Sequence, residues 1–116
     1  MITSDEASEF AQAALPDIAS RFSPGRDIYN TLQIIREYAC EQAKEHNYSL
    51  LQKCFKLAEA LYEKGSGAVR GAVENVFVYS LSRILSLVPE DKQKIKSLMP
   101  ASLQTLYMNQ VFHRGY

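Results

Sequence analysis

The chain has 116 residues, 47% of them hydrophobic and 22% charged, and its 13 basic side chains are matched by 13 acidic ones. This length indicates one domain, residues 1–116, with enough apolar side chains for a core that needs no metal or disulfide. A net charge of zero argues against nucleic acid, or an acidic membrane, as a partner attracted by bulk charge.

The pattern of the sequence contains no targeting or membrane signal. The first ten residues, MITSDEASEF, are acidic and polar, without the basic start and apolar stretch of a signal peptide. No window approaches the roughly 18 uninterrupted apolar residues that indicate a membrane-spanning helix. We therefore expect a cytoplasmic protein that has no membrane partner.

The first helix is predicted to begin near Ser4, which is a good N-cap residue. Asp5 and Glu6 follow in the first turn, where carboxylates suit the positive end of the helix dipole. Pro16 is expected to break or kink this helix. Residues 23–25, Ser-Pro-Gly, are typical of a loop.

Two longer helices are predicted next, over about residues 27–46 and 49–64. Apolar side chains recur in both at spacings of three and four, which defines one face of a helix. Asn47 is expected to stop the first helix, and Gly65 to stop the second. The apolar positions are Ile28, Leu32, Ile35, Ala39 and Ala43 in the first, and Leu51, Cys54, Phe55, Ala58, Leu61 and Tyr62 in the second.

The stretch GAVENVFVYS, residues 71–80, contains four consecutive β-formers and so suggests a strand. Strict alternation of apolar and polar residues fails there, because residues 76–78 are all apolar. The helical period of apolar residues also continues from Val69 to Leu87, for about five turns. We therefore predict a helix over about residues 67–88 that is apolar on most sides and central in the fold.

A narrow polar strip remains on this predicted central helix. Its side chains either make a close-packed contact with another helix or form a polar recognition surface, and the sequence leaves both open. For Asn75 we expect a structural hydrogen bond, with recognition as the alternative. The strip contains Gly71 and Ser86 together with the candidate interaction surface, which is Asn75, Tyr79, Ser82 and Arg83.

Two short helices are predicted to complete the chain. Pro89 suits the first turn of the fifth helix, in which acidic residues precede lysines. Pro100 separates it from a sixth helix that begins at Ala101 or Ser102. Residues 113–116 are expected to fray.

The predicted fold class is all-α, because no convincing strand is found. Short connections favour a single compact bundle, or a short stack of helical hairpins, of five to six helices around the long central helix. No clear internal repeat is visible, which makes a true solenoid the less favoured version.

Catalytic and metal-binding patterns are weak. The two histidines, His46 and His113, stand apart, and no HExxH or CxxC spacing occurs. The glycine-rich residues 65–71, GSGAVRG, have amides that could hold an anion. We interpret them as a helix–helix turn, because no strand precedes them and no lysine closes them. We expect no enzyme, no cofactor and no metal site.

The remaining acidic and thiol side chains fit ordinary structural roles. Glutamate pairs at i and i+4 are interpreted as solvated helix faces rather than as metal ligands; these are Glu37 with Glu41, and Glu59 with Glu63. Cys40 and Cys54 are expected to be buried thiols in a reducing compartment, and a disulfide or a reactive thiol remains an alternative.

Tyrosine is the one unusual feature of the composition, with seven residues and no tryptophan. Tyrosine and arginine are enriched where proteins bind proteins. Tyrosine also covers the edge of a core, with its ring buried and its hydroxyl in water. We favour this covering role for any single tyrosine.

Residues 57–111 resemble small all-helical bacterial proteins of unassigned function, some of which are similar to immunity proteins of toxin systems. In these proteins a helix that ends in a glycine turn is followed by a long helix with a small polar residue before an aromatic-rich run. The turn often carries an acidic residue, whereas this chain has glycine, serine and glycine at residues 65–67. The matching residues are Leu61, Tyr62, Gly65, Asn75, Phe77 and Leu81.

Three hypotheses follow for function. The first is a non-catalytic protein-interaction domain, immunity-like in that it binds and blocks a protein partner. The second is a small-molecule-sensing or nucleotide-sensing helical module, which requires a closed apolar pocket with convergent polar groups. The third, an enzyme, is the least favoured. A homodimer is compatible with all three.

Overall fold

The computed structural model of the protein describes residues 1–23 and 27–115, and the side chains up to residue 110. The described residues form helices and no sheet, so the all-α prediction is confirmed. The helices are α1 (Ser4–Ala14), α2 (Ile28–Lys44), α3 (Tyr48–Lys64), α4 (Gly67–Leu87), α5 (Lys92–Leu98) and α6 (Ala101–Gly115), with 3₁₀ turns at Pro16–Arg21 and Pro89–Asp91.

Helix α1 begins at Ser4, and its N-cap residue is Thr3 rather than the predicted Ser4. The backbone N–H of Glu6 donates to the Thr3 hydroxyl, and the Glu6 carboxylate accepts from the Thr3 N–H at 3.1 Å. This reciprocal pair is a capping box. The hydrogen bonds from Thr3 lower the pKa of Glu6, because they favour its charged form. The predicted break at Pro16 is the start of a 3₁₀ turn.

Helix α2 ends at a different residue from the one predicted to stop it. His46 has φ of 60°, the left-handed conformation that commonly ends a helix. Its N–H donates to the Ala43 carbonyl, and the Asn47 N–H donates to Gln42 at 2.9 Å, which is the Schellman pattern. Asn47, predicted to stop α2, instead caps α3 by accepting from Leu50.

The turn between α3 and α4 is closed by Gly65 and by the first residues of the chain. Gly65 has φ of −82°, so it serves a close approach rather than a left-handed turn. A Cβ there would overlap the Leu61 carbonyl oxygen and lie 2.5 Å from Cγ1 of Val69. Ile2 crosses this turn in extended form: its N–H donates to Lys64 at 2.6 Å, and its carbonyl accepts from Ser66 at 2.8 Å.

Helix α4 confirms that residues 71–80 are helical rather than a strand. The helix is continuous from residue 67 to residue 87, but it is α-helical only at its two ends. Val73–Phe77 form a π-helical turn and Val78–Ser80 a 3₁₀ turn. Apolar residues along its whole length are buried, as expected for a central helix, and Phe77 meets Phe55 of α3 edge to face, with centroids 6.1 Å apart.

Among the described residues, no single helix is both long enough and apolar enough to cross a membrane. One bent pair of helical segments reaches that length and composition together. It consists of Gly67–Leu87 and Pro89–Leu98, with a bend of 106° between them.

Helix α6 begins at Ala101, within the predicted start, but it ends later than expected. Residues 113–115, predicted to fray, continue the helix to Gly115. Residue 116 and most of the loop predicted at residues 23–25 lie outside the described residues.

Candidate functional site

A polar groove of about 390 Å³ lies between α2 and α4. Its walls combine charged side chains from α2 with the residues that follow the π-helical turn of α4. Five lining residues come from α2 and two from α4: Arg36, Glu37, Cys40, Glu41 and Lys44, with Ser80 and Arg83.

Helical spacing explains the α2 wall of this groove. Arg36, Cys40 and Lys44 follow one another at intervals of four, so that they lie on one face of the helix. The adjacent face of α2 carries the predicted apolar stripe, and Ile28, Leu32 and Ala39 are buried. Because that stripe fixes how α2 is oriented on the core, the charged face is left at the surface beside α4.

The α4 wall begins where the irregular turns of the helix end: Ser80 is the last residue of the 3₁₀ turn, and Arg83 lies in the α-helical segment that follows. The hydroxyl of Ser80 is buried and donates to the Val76 carbonyl at 2.7 Å. The amide of Gln110 in α6 donates to the Glu74 carbonyl at 2.8 Å. These side chains add hydrogen bonds to carbonyls of the irregular turns, and π-helical turns of this kind are frequent at functional sites.

The candidate interaction surface is exposed. Asn75, Ser82 and Arg83 are exposed, and Tyr79 is 53% exposed. Only Arg83 of the four also lines the groove. The strip is therefore an accessible surface rather than a close-packed helix contact.

Helix α6 borders this strip through one contact. Ser82 Oγ donates to the hydroxyl of Tyr107 at 3.3 Å. The structural hydrogen bond expected for Asn75 is not present: within the described residues, its side chain makes no hydrogen bond.

Positive charge is in excess within the groove. Three lining residues are basic and two are acidic, and one acidic residue, Glu41, is already paired with Arg21 at 3.1 Å. Within residues 1–23 and 27–110, no carboxylate lies within 4 Å of the basic nitrogens of Arg36, Lys44 or Arg83. The groove therefore offers three cations that form no ion pair within this part of the chain.

The two thiols occupy different environments. Cys54 is fully buried in the core, and burial raises the pKa of its thiol to about 12. Cys40 is half-buried in the groove wall, where burial also raises its pKa while Arg83 and Arg36 act in the opposite sense. Both thiols are free. The prediction of buried thiols is therefore correct for Cys54 and wrong for Cys40, which is partly exposed because it lies on the groove face of α2.

Most of the described tyrosines cover the edge of the core, as predicted. The rings of Tyr38, Tyr48, Tyr62 and Tyr107 are buried or half-buried. Three of these hydroxyls make hydrogen bonds to side chains, and the Tyr62 ring also lies under Arg70 at 4.7 Å. Tyr29 and Tyr79 differ, at 46% and 53% exposure.

Tyr48 joins the start of α3 to the turn before α5. Its hydroxyl donates to Asp91 at 2.6 Å, and Lys94 lies 5.0 Å from the centre of its ring. Partial burial, together with this hydrogen bond, raises the pKa of Tyr48 to about 12. Nearby, His46 lies 3.7 Å from the Glu90 carboxylate at the exposed rim.

The described residues contain no group of three or more His, Cys, Asp or Glu side chains with the arrangement of a metal site. Three of the four glutamates predicted to be solvated divide between two roles. Glu37 and Glu41 line the groove, whereas Glu63 accepts a hydrogen bond from Ser102 at 2.9 Å.

Sequence reasoning identified Arg83 but missed the α2 side of the groove. The signal that could have found it is the spacing of Arg36, Cys40 and Lys44, which places polar side chains one turn apart on one face. What the spacing cannot give is the neighbour of that face, since α2 and α4 are separated by the whole of α3.

Comparison with known proteins places the chain in a family without an assigned function. Neither the curated proteins nor the solved structures contain a match to it. A family model described as a domain of unknown function, DUF7674, matches residues 8–114, and this agrees with the predicted resemblance to proteins of unassigned function. Because that match covers nearly the whole chain, the protein belongs to the DUF7674 family.

Proposed function

We propose that this domain is a non-catalytic protein-interaction module. It binds a partner through the candidate interaction surface of α4 and the adjoining groove. The observation that carries the proposal is that two exposed tyrosines stand on the same helix faces as groove arginines. Tyr79 stands four residues before Arg83, and Tyr29 stands seven residues before Arg36, so each tyrosine shares a helix face with a groove arginine.

Exposed tyrosine and unneutralised arginine support binding for physical reasons. Tyrosine supplies a large, rigid apolar area and a hydroxyl at a low cost in side-chain entropy. Arginine carries a planar cation that both stacks on rings and binds carboxylates. These two residue types, together with tryptophan, are the ones enriched among the residues that contribute most to binding.

The shape of the groove favours this proposal over a small-molecule-sensing module. A sensor needs an enclosed, mostly apolar pocket that buries most of its ligand. The groove between α2 and α4 is open and lined mainly by charged side chains.

The resemblance to immunity proteins suggests the specific partner to test. On this proposal the protein is bacterial and cytoplasmic, and it blocks a toxin encoded immediately upstream of its own gene. Co-expression with that neighbour tests the idea directly: growth is restored by the wild-type protein if the two bind, and the immunity role is wrong if the neighbour is not toxic.

The interaction role itself is tested by quantitative capture of proteins from the native host. We expect at least one partner that wild-type protein retains and that the Asn75→Ala/Tyr79→Ala variant loses. The matched control, Lys92→Ala/Gln93→Ala, changes two exposed residues at the start of α5 and is expected to keep that partner.

Two results would count against the proposal. Repeated absence of any specific partner contradicts an interaction role, and equal capture by both variants contradicts the assignment of the surface. Thermal unfolding of each variant checks that the fold is retained, as expected for substitutions of exposed side chains.

A further inference from the structure

The groove between α2 and α4 has a charge pattern that selects among protein partners. Arg36 and Lys44 stand on one wall and Arg83 on the other, so cations approach a bound chain from two sides. None of the three is ion-paired within the described residues.

We propose that this groove binds an acidic peptide segment of the partner protein, with its Asp or Glu carboxylates on Arg36, Lys44 and Arg83. The inference rests on the proposed interaction function and names the chemistry of the partner. A guanidinium binds a carboxylate through two parallel hydrogen bonds, which fixes orientation as well as adding energy.

The acidic lining residues favour a peptide over a phosphate backbone as the ligand of this groove. Glu37 lies in the same groove without an ion-pair partner among residues 1–23 and 27–110, and Glu41 stands beside it. A continuous row of phosphates would meet both carboxylates at close range. A peptide avoids this repulsion, because its carboxylates are separate and a neutral or basic residue can face Glu37.

The two exposed tyrosines extend the same binding surface beyond the groove. Tyr29 shares a face of α2 with Arg36, and Tyr79 shares a face of α4 with Arg83. Each ring stands on a helix face that also carries a groove arginine, which suits a partner segment that carries apolar residues next to its acidic ones.

The test is a selection of short random peptides displayed on phage against the intact protein. We expect the selected peptides to be enriched in Asp and Glu. Their affinity, measured by titration calorimetry, should fall about tenfold in Arg36→Gln/Lys44→Gln, since two partly exposed ion pairs are lost. It should be unchanged in Lys53→Gln/Lys92→Gln, which removes the same charge from exposed sites on α3 and α5.

Further measurements use the wild-type protein and so do not depend on how the variants fold. Bound peptide is expected to slow alkylation of Cys40, which lines the groove, and high salt is expected to weaken binding. Inorganic phosphate and a single-stranded DNA oligonucleotide are titrated alongside, and we expect each to bind more weakly than the selected peptide.

The proposal is overturned if no peptide is selected, if the selected peptides lack acidic residues, or if Arg36→Gln/Lys44→Gln binds them as well as wild type does. Preference for phosphate or DNA over the peptide also overturns it. A captured partner that needs Asn75 and Tyr79 but not Arg36 and Lys44 would leave the proposed function standing and remove only this inference.

Discussion

The turn between α3 and α4 and the groove between α2 and α4 are both built on the central helix, in opposite ways. At the turn, Gly65 lets two helices approach closely, and Ile2 satisfies backbone groups on both sides of it. In the groove, charged side chains face one another across open space, and three cations form no ion pair with residues 1–23 or 27–110.

This difference indicates which part of the helix serves the fold and which is available for binding. Close packing with satisfied backbone groups stabilises a structure and leaves little to recognise. Unpaired surface charges add almost nothing to stability, so their convergence in one groove needs another reason. Four predictions test this contrast.

The largest expected effect is on thiol reactivity. Cys54 is fully buried and should be alkylated only when the protein unfolds, whereas Cys40 is partly accessible. For a global stability of at least about 5 kcal/mol, the rate for Cys54 should be lower by a factor of about 10³ or more. A time course with iodoacetamide, resolved by mass spectrometry, measures both rates.

A Cys40→Ser variant is the control for this labelling experiment, because it leaves Cys54 as the one thiol. Its labelling should accelerate steeply as urea approaches the unfolding transition. Equal rates for the two cysteines in native buffer would mean that the core is open at Cys54, and the contrast between closed and open regions would then be wrong.

The second prediction breaks the closed turn. Gly65→Ala places a methyl group against the Leu61 carbonyl and 2.5 Å from Val69 Cγ1, where neither the backbone nor a buried valine can move freely. We expect a loss of about 3 kcal/mol in the free energy of unfolding. Urea denaturation followed by circular dichroism measures it.

Gly67→Ala is the matched control for that substitution. A Cβ at Gly67 meets nothing within 4 Å, and alanine is the better helix former. We expect this variant to be unchanged or more stable by up to about 1 kcal/mol. If both variants behaved alike, the space that Gly65 leaves would not be what stabilises this turn.

The third prediction concerns a polar side chain that has a hydrogen-bond partner, unlike the cations of the groove, which form no ion pair within the described residues. Tyr48→Phe removes the hydroxyl that donates to Asp91 and should cost about 1 kcal/mol of unfolding free energy. Tyr29→Phe, which changes an exposed tyrosine, should have almost no effect. Urea denaturation at neutral pH compares the two variants.

The pH dependence of this contact has a definite sign. The pKa of Tyr48 is raised from 10.0 to about 12 in the folded protein, so the native state holds this proton more tightly than the unfolded state. The stabilisation is complete below pH 10 and is lost as pH rises from 10 toward 12. Above pH 10, stability should therefore fall more steeply with pH in wild type than in Tyr48→Phe, and parallel curves would contradict the assignment.

Periodicity was sufficient for the helices but not for their irregularities. The apolar spacing that continues to Leu87 identified α4 as a helix despite its β-forming residues, because burial on several sides accounts for them. The same spacing could not reveal the π-helical turn at Val73–Phe77, since that turn depends on packing against other helices. Gly65 was correctly placed at a helix end, but its physical reason, a close approach, requires coordinates.

The sequence predicted the polar strip of the candidate site but not the groove beside it. The polar strip containing Asn75, Tyr79 and Arg83 follows from the helical arc of α4, and it is exposed in the structure. The groove needs the knowledge that Arg36 and Lys44 of α2 lie beside it. That neighbour is set by how three helices pack together, and no local pattern in one chain encodes it.

The smallest expected effect comes from removing charge in the groove. Arg83→Gln and Lys44→Gln should each change the free energy of unfolding by less than about 0.5 kcal/mol. A slight gain is more consistent with the structure than a loss, because each substitution relieves repulsion among cations that have no partner within the described residues. Any gain should shrink in high salt, which screens that repulsion. Urea denaturation at low and high ionic strength measures both effects.

A loss of more than about 1 kcal/mol in either variant would identify these side chains as part of what holds α2 to α4. In that case the groove, like the turn between α3 and α4, would serve to stabilise the fold. Its charged side chains would then need no binding partner to explain them.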